Sequence, residues 1–218
     1  MIYQTAYCTL GFVGCVASLG IFENVRQIRW DFYVYFTNLS NYFCIGVMLA
    51  ALIQTLKKKE DSYVSAVPVL KFMGMPSILL TFLVFNFMLA GSRNSQENWK
   101  IGSLLAHVVL PVMYIADWFL FYGRKKCKWY YPVISVVFPF AYILFLLIQA
   151  IILKFDTSIL ITSTNTPLIY PYFFVNLETQ GVFGVLMWIG IISVAFLAAG
   201  FLLFGLDQLG KKKSDIYL

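Results

Sequence analysis

Six stretches of this chain are apolar for long enough to cross a lipid bilayer, near residues 3–22, 34–56, 72–90, 101–122, 130–153 and 180–206. A crossing takes about 20 apolar residues in a helix. In lipid every backbone N–H and C=O must be satisfied within the segment, and a helix does this for a continuous apolar run. The expected fold is therefore all-α: a polytopic membrane protein, a six-transmembrane-helix bundle forming one domain over residues 1–218, with no soluble appendage. Composition points the same way. The chain is 61% hydrophobic and 12% charged, whereas soluble domains sit near about 45–50% and about 25%. Neither an internal repeat nor a low-complexity linker stands out.

Lys and Arg set the expected orientation, because cytoplasmic loops carry the excess of positive charge. Lys57, Lys58, Lys59, Lys71, Arg124, Lys125, Lys126, Lys128, Lys211, Lys212 and Lys213 fall on one side, eleven in all. Arg26, Arg29, Arg93, Lys100 and Lys154, five, fall on the other. Both termini are thus expected in the cytoplasm, in a multi-pass protein of the cell membrane. The net charge of +6 reads as this bias plus attraction to anionic lipid. It is not a nucleic-acid signal, since no basic face is interleaved with exposed aromatics.

Phe12-Val13-Gly14-Cys15 has the outline of a lipoprotein cleavage site. The positive n-region of a signal peptide is missing, however, and the first run is read as a retained helix. Cys8, Cys15, Cys44 and Cys127 have no paired spacing, so neither a disulfide framework nor a zinc site is expected. Cys127, among basic residues, is either an acylation site or an ordinary interfacial cysteine. No metal or cofactor is expected; the implied partners are membrane lipids, and the sequence leaves the oligomeric state open.

Polar groups inside a bilayer are costly, so each asks for a reason. The sequence YVYFTNLSNYFC opens the second run and places Thr37, Asn38, Ser40 and Asn41 at its mouth. Thr37 and Asn41 are four apart and share a helical face, with Ser40 flanking it. The single histidine, His107, lies in LLAHVVLPV. At roughly 1.5 Å per residue, Thr37 lies about 6 Å into its run and His107 about 9 Å into its own, both entered from the outer side. A hydroxyl, a carboxamide and an imidazole can therefore converge. Two readings stand side by side: interhelical glue, since polar side chains commonly hydrogen-bond between membrane helices, and catalysis. Asp117 lies about 15 Å along the axis from His107. It is too far to orient the imidazole and is read as a structural acid within reach of the basic fourth loop. The long outer loop 154–179 ends in Tyr170, Pro171 and Tyr172, which suit either a lid or an aromatic interfacial belt.

In this order, Thr37 in YFTNLSN, His107 in LLAHVVLPV, Asp117 ten residues later and YPYFFVN before the last helix resemble the androgen-induced and androgen-dependent TFPI-regulating membrane proteins. The bacterial six-helix relatives of that family are closer still. The resemblance runs from the second helix to the end. It implies an intramembrane threonine hydrolase of fatty-acid esters of hydroxy fatty acids, with Thr37 as nucleophile and His107 as base. With those two roles assigned, Asn38, Ser40 and Asn41 are read as polar support, Asn41 or a nearby backbone amide as the oxyanion donor, and Tyr170, Pro171, Tyr172 and Asn176 as a pocket or lid. The chain departs from the bacterial YPYPFLD pattern, with Phe173 where a proline and Asn176 where an acid is expected. A lipid acyltransferase using the same residues is a second reading. A non-enzymatic transporter or lipid-binding scaffold is a third.

Overall fold

A computed structural model describes residues 1–22, 33–58, 68–89, 99–122, 125, 127–155 and 170–209. Among the described residues the regular structure is helical and no strand occurs. The helices are α1 (Ile2–Ser18), α2 (Phe36–Lys58), α3 (Pro68–Val84), α4 (Ile101–Leu104), α5 (Leu110–Asp117), α6 (Tyr131–Ser135), α7 (Val137–Phe155) and α8 (Leu177–Gln208). Among the described residues five spans are long and apolar enough to cross a membrane: Phe36–Lys57, Pro68–Phe87, Ile101–Phe121, Tyr131–Leu153 and Leu177–Gln208. The first expected run forms α1, a helix of 17 residues; the five spans fall on the second to sixth expected runs and are numbered accordingly. Residues 156–169 of the long loop lie outside the described residues. So do Arg26, Arg29, Lys59, Arg93, Arg124, Lys126 and Lys211 to Lys213.

Prolines and one glycine shape the rods. Pro68 begins α3, a position where its missing N–H costs nothing. The fifth span is α6 and α7 joined at Val136; Pro139 has no N–H to return to Ser135, so the turn breaks there. Within α8, Gly181 adopts φ 64°, a left-handed conformation that a side chain disfavours, and the rod kinks. The third span ends in a π-helical turn, Phe85–Leu89. The fourth span carries two more, Leu105–Val109 between α4 and α5 and Trp118–Tyr122 after α5.

α1 runs antiparallel to the fourth span: Tyr3 meets Phe121, Tyr7 meets Tyr114 and Ala17 abuts Gly102. The main core gathers Tyr7, Cys44, Met48, Phe72, Tyr114 and Trp118 from α1, α2, α3 and the Ile101–Phe121 span. A smaller cluster of Val34, Tyr142, Leu146 and Val175 lies beneath the segment before α8. Outward faces are apolar as well, with Phe12, Val112, Ile148 and Phe183 among many exposed large side chains. That inversion of the soluble pattern suits lipid as the surrounding solvent.

Candidate functional site

The polar mouth of α2 is stitched to two other spans. The Ser40 hydroxyl lies 3.1 Å from that of Thr81 on α3 and 3.0 Å from the Thr37 carbonyl. Asn41 Nδ2 donates to the Thr37 carbonyl at 2.8 Å and, across the helix gap, to the Ala106 carbonyl at 3.0 Å. From the π turn after α3, Asn86 Nδ2 donates to the His107 carbonyl at 3.1 Å. The Phe85 ring stacks on the imidazole, centroids 3.5 Å apart and planes 5° apart.

Backbone geometry explains why these carbonyls accept side-chain amides. In the π turn Leu105–Val109 the Leu110 amide reaches back to the Leu105 carbonyl, bypassing Ala106. Pro111, four residues after His107, has no N–H to give the His107 carbonyl. Both acceptors then need outside donors, and Asn41 and Asn86 supply them. Facing π turns at Phe85–Leu89 and Leu105–Val109 thus bracket the histidine; such turns are frequent at functional sites.

Thr37 and His107 are both half-buried, on segments joined through Asn41. Among the described residues the Thr37 hydroxyl makes no hydrogen bond to the imidazole. Asn41, expected with a nearby backbone amide as an oxyanion donor, points its amide nitrogen at the Thr37 and Ala106 carbonyls in this structure. A carboxamide has two N–H donors, and both are committed to carbonyls. Asn38 is half-buried, with its amide closing the first turn on the Tyr35 carbonyl at 3.0 Å.

The Tyr170–Asn176 segment packs against the residues that lead into Thr37. Tyr172 Oη accepts the Phe36 amide at 3.1 Å, one residue before Thr37. Tyr142 Oη donates to the Val34 carbonyl at 2.5 Å. Burial raises the Tyr172 phenol above its ordinary pKa, so it stays protonated. Tyr170 and Pro171 are half-buried beside it, and Phe173 is exposed with its ring edge-on to Trp188 at 5.2 Å. Asn176 caps α8, its Oδ1 accepting the Glu178 and Thr179 amides at 2.9 and 3.2 Å. An aspartate makes the same cap, so the departure at this position keeps the cap's chemistry.

Among the described residues Asp117 pairs with Lys71, while Arg124 and Lys126 of the fourth loop lie outside them. Lys71, assigned to a basic loop, lies one turn inside α3 because the helix starts at Pro68. It forms a fully buried ion pair with Asp117, both side chains 0% exposed. Lys71 Nζ also touches Met48 Sδ at 2.7 Å and lies 4.3 Å from the centre of the Tyr114 ring, whose hydroxyl donates to the Lys71 carbonyl at 3.0 Å. Gly74 is required here, since a Cβ would lie 2.6 Å from the Tyr114 oxygen.

A second buried acid, Asp207, accepts the Trp118 indole N–H at 2.9 Å and the Cys127 amide at 3.0 Å, latching the fourth loop to the end of α8. Cys127 is buried, which counts against acylation. Burial first, then the Asp207 carboxylate, pushes its thiol up to about 12. Among the described residues no three His, Cys, Asp or Glu side chains gather as metal ligands. Two apolar grooves lie on the outside. One of about 200 Å³ runs beside Tyr33, Phe145 and Gln149; the other, about 590 Å³, is lined by Val137, Leu144 and Ile189. Neither is lined by Thr37 or His107. No family model, curated protein or solved structure matches the chain.

Proposed function

We propose that the chain is an intramembrane lipid-ester hydrolase with Thr37 as nucleophile and His107 as general base, acting on fatty-acid esters of the hydroxy-fatty-acid type. The observation that carries this reading is the Asn41 bridge. One carboxamide holds the Thr37 and Ala106 carbonyls together, and so sets the threonine turn against the histidine turn. A threonine hydroxyl is a weak nucleophile without an adjacent base, and His107 is the one side chain here whose ordinary pKa lies near neutrality. Resting-state hydrogen bonds between such partners are often long and tighten only with substrate.

In the proposed cycle His107 takes the Thr37 proton as the hydroxyl oxygen bonds to the ester carbonyl carbon. The bond to the leaving alkoxide breaks, and the histidine returns the proton to it. Water then gives a proton to His107 and attacks the acyl-threonine. The fatty acid departs, and the proton returns to Thr37. Since the Asn41 N–H groups are occupied, as are the Phe36, Asn38 and Leu39 amides, the oxyanion falls to the backbone amide of Thr37 itself. Asn41 Oδ1, buried with no hydrogen-bond partner among the described residues, remains as an acceptor for the incoming water. An alcohol in place of that water makes the same apparatus an acyltransferase.

α1 serves as the sixth span in this reading, since 17 residues cover about 25 Å at 1.5 Å each against a core of about 30 Å. The Lys and Arg bias puts both termini on the cytoplasmic side of the cell membrane and the Thr37–His107 level toward the outer leaflet. One observation favours a scaffold instead: the Phe85 ring covers one face of the imidazole as in an ordinary packed core. A lipid-like fluorophosphonate probe separates the two. Labelling of purified protein that maps to Thr37 supports the enzyme. Lipid binding with no covalent adduct at Thr37 supports the scaffold.

A further inference from the structure

The other end of the bundle holds a polar site that the Thr37–His107 chemistry leaves unused. α1 buries one stripe, Gln4, Tyr7 and Gly11. Gln4 and Tyr7 are both 0% exposed. Neither amide atom of Gln4, nor the Tyr7 hydroxyl, has a hydrogen-bond partner among the described residues. Three such atoms in one stripe carry the full penalty of lost solvation, so each calls for a partner.

Register shows what they face. Tyr7 packs on Tyr114 across antiparallel helices. One turn toward the same end, α1 presents Gln4 and the fourth span presents Asp117. α2 runs antiparallel to α1 as well: Gly11 abuts Ile45, and the Ser18 and Tyr42 hydroxyls bond to each other. Met48 therefore arrives near the level of Gln4. Its sulfur is the one that touches Lys71 Nζ. Tyr3, Tyr7 and Cys8 of α1 are within electrostatic reach of Asp117 or Lys71. Gln4 is two residues past the start of α1, Lys71 three past the start of α3 and Asp117 four before the end of the fourth span. The site thus lies about one turn below the end of the bundle.

We infer that Gln4, Tyr7 and the Lys71–Asp117 pair enclose bound water: an internal hydrated site under the end of the bundle that carries the N-terminus of α1. The chemistry fits water better than an ion. The two charges already neutralise each other, and Gln4 and Tyr7 each offer a donor and an acceptor. A buried water typically makes about three hydrogen bonds to polar groups of this kind. Charge and hydrogen-bonding capacity then close together, which neither the ion pair nor the α1 stripe achieves alone.

Hydroxyl-radical footprinting tests this, because radicals formed on bound water oxidise the side chains that touch it. Met48 and Met75 are equally buried in one core, both 0% exposed, and Met48 is the one whose sulfur touches Lys71 Nζ. In the intact protein in nanodiscs Met48 should oxidise several-fold faster than Met75. Gln4→Leu, an apolar swap of similar size, should remove that excess. Equal rates in the wild-type protein would overturn the inference without recourse to any variant. So would an excess at Met48 that survives Gln4→Leu.

Discussion

Breaking the Lys71–Asp117 pair is the sharpest test of how this bundle holds together. Asp117→Asn removes one charge and leaves the Lys71 ammonium at 0% exposure. The Met48 sulfur and the Tyr114 ring lie against it. Neither neutralises a cation, and leaving a buried charge uncompensated costs about 3–5 kcal/mol. For a domain of this size each kcal/mol moves the midpoint by about 2–4 °C, so the thermal transition should fall by about 6–20 °C. Lys71→Met should also destabilise, by removing the carboxylate's buried counter-ion. The double variant Lys71→Met with Asp117→Leu should lose less than either single change, because replacing both ions by apolar groups is often neutral. Thermal unfolding followed by tryptophan fluorescence in one detergent reads all three, with Trp118 packed on Phe72 in the same core as a reporter. Neutral single variants, or a double variant that loses the sum of the two, would refute the pairing. Folded Asp117→Asn should keep most ester turnover, since the acid lies about 15 Å along the axis from His107.

Asn176→Asp should leave stability nearly unchanged, and Asn176→Ala should lower it by about 1 kcal/mol through loss of the α8 cap; thermal midpoints decide. Cys127 should resist alkylation by maleimide at pH 8 until the protein unfolds, because its thiol is pushed up to about 12. A thiol raised on folding stabilises below its unfolded value and loses that contribution as pH climbs from about 9 to about 12, so stability should decline across that window. Rapid labelling of the folded protein would contradict the burial of Cys127. A cysteine at Trp99 should react with an impermeant reagent from outside and one at Lys128 only from the cytoplasm; the reverse pattern would invert the bundle.

The spans were legible because a bilayer demands long apolar runs, and each observed helix overlaps an expected one. Legibility ended where a side chain's meaning depends on a distant partner. Lys71 looked like a loop charge because it borders an apolar run, and its partner is 46 residues away. Pattern alone does not distinguish a flanking lysine from one turned inward by a helix that begins at Pro68. Thr37 and Asn41 were readable together from their spacing of four. Asn86 and Phe85 were not, although Pro111 four residues after His107 marked a carbonyl in need of an outside donor. Asn176 stands where the family pattern has an acid. Judged by hydrogen bonding, it is a cap.

The most direct measurement is turnover of a long-chain ester of a hydroxy fatty acid by purified protein in nanodiscs, for wild type, Thr37→Ala, His107→Ala and the double variant. Groups that act as one unit cost about as much singly as together. All three variants should therefore lose hydrolysis to a similar degree while keeping the wild-type thermal midpoint, and Thr37→Ser should retain part of it. Full turnover by Thr37→Ala in a folded protein would contradict the assignment of Thr37 as nucleophile.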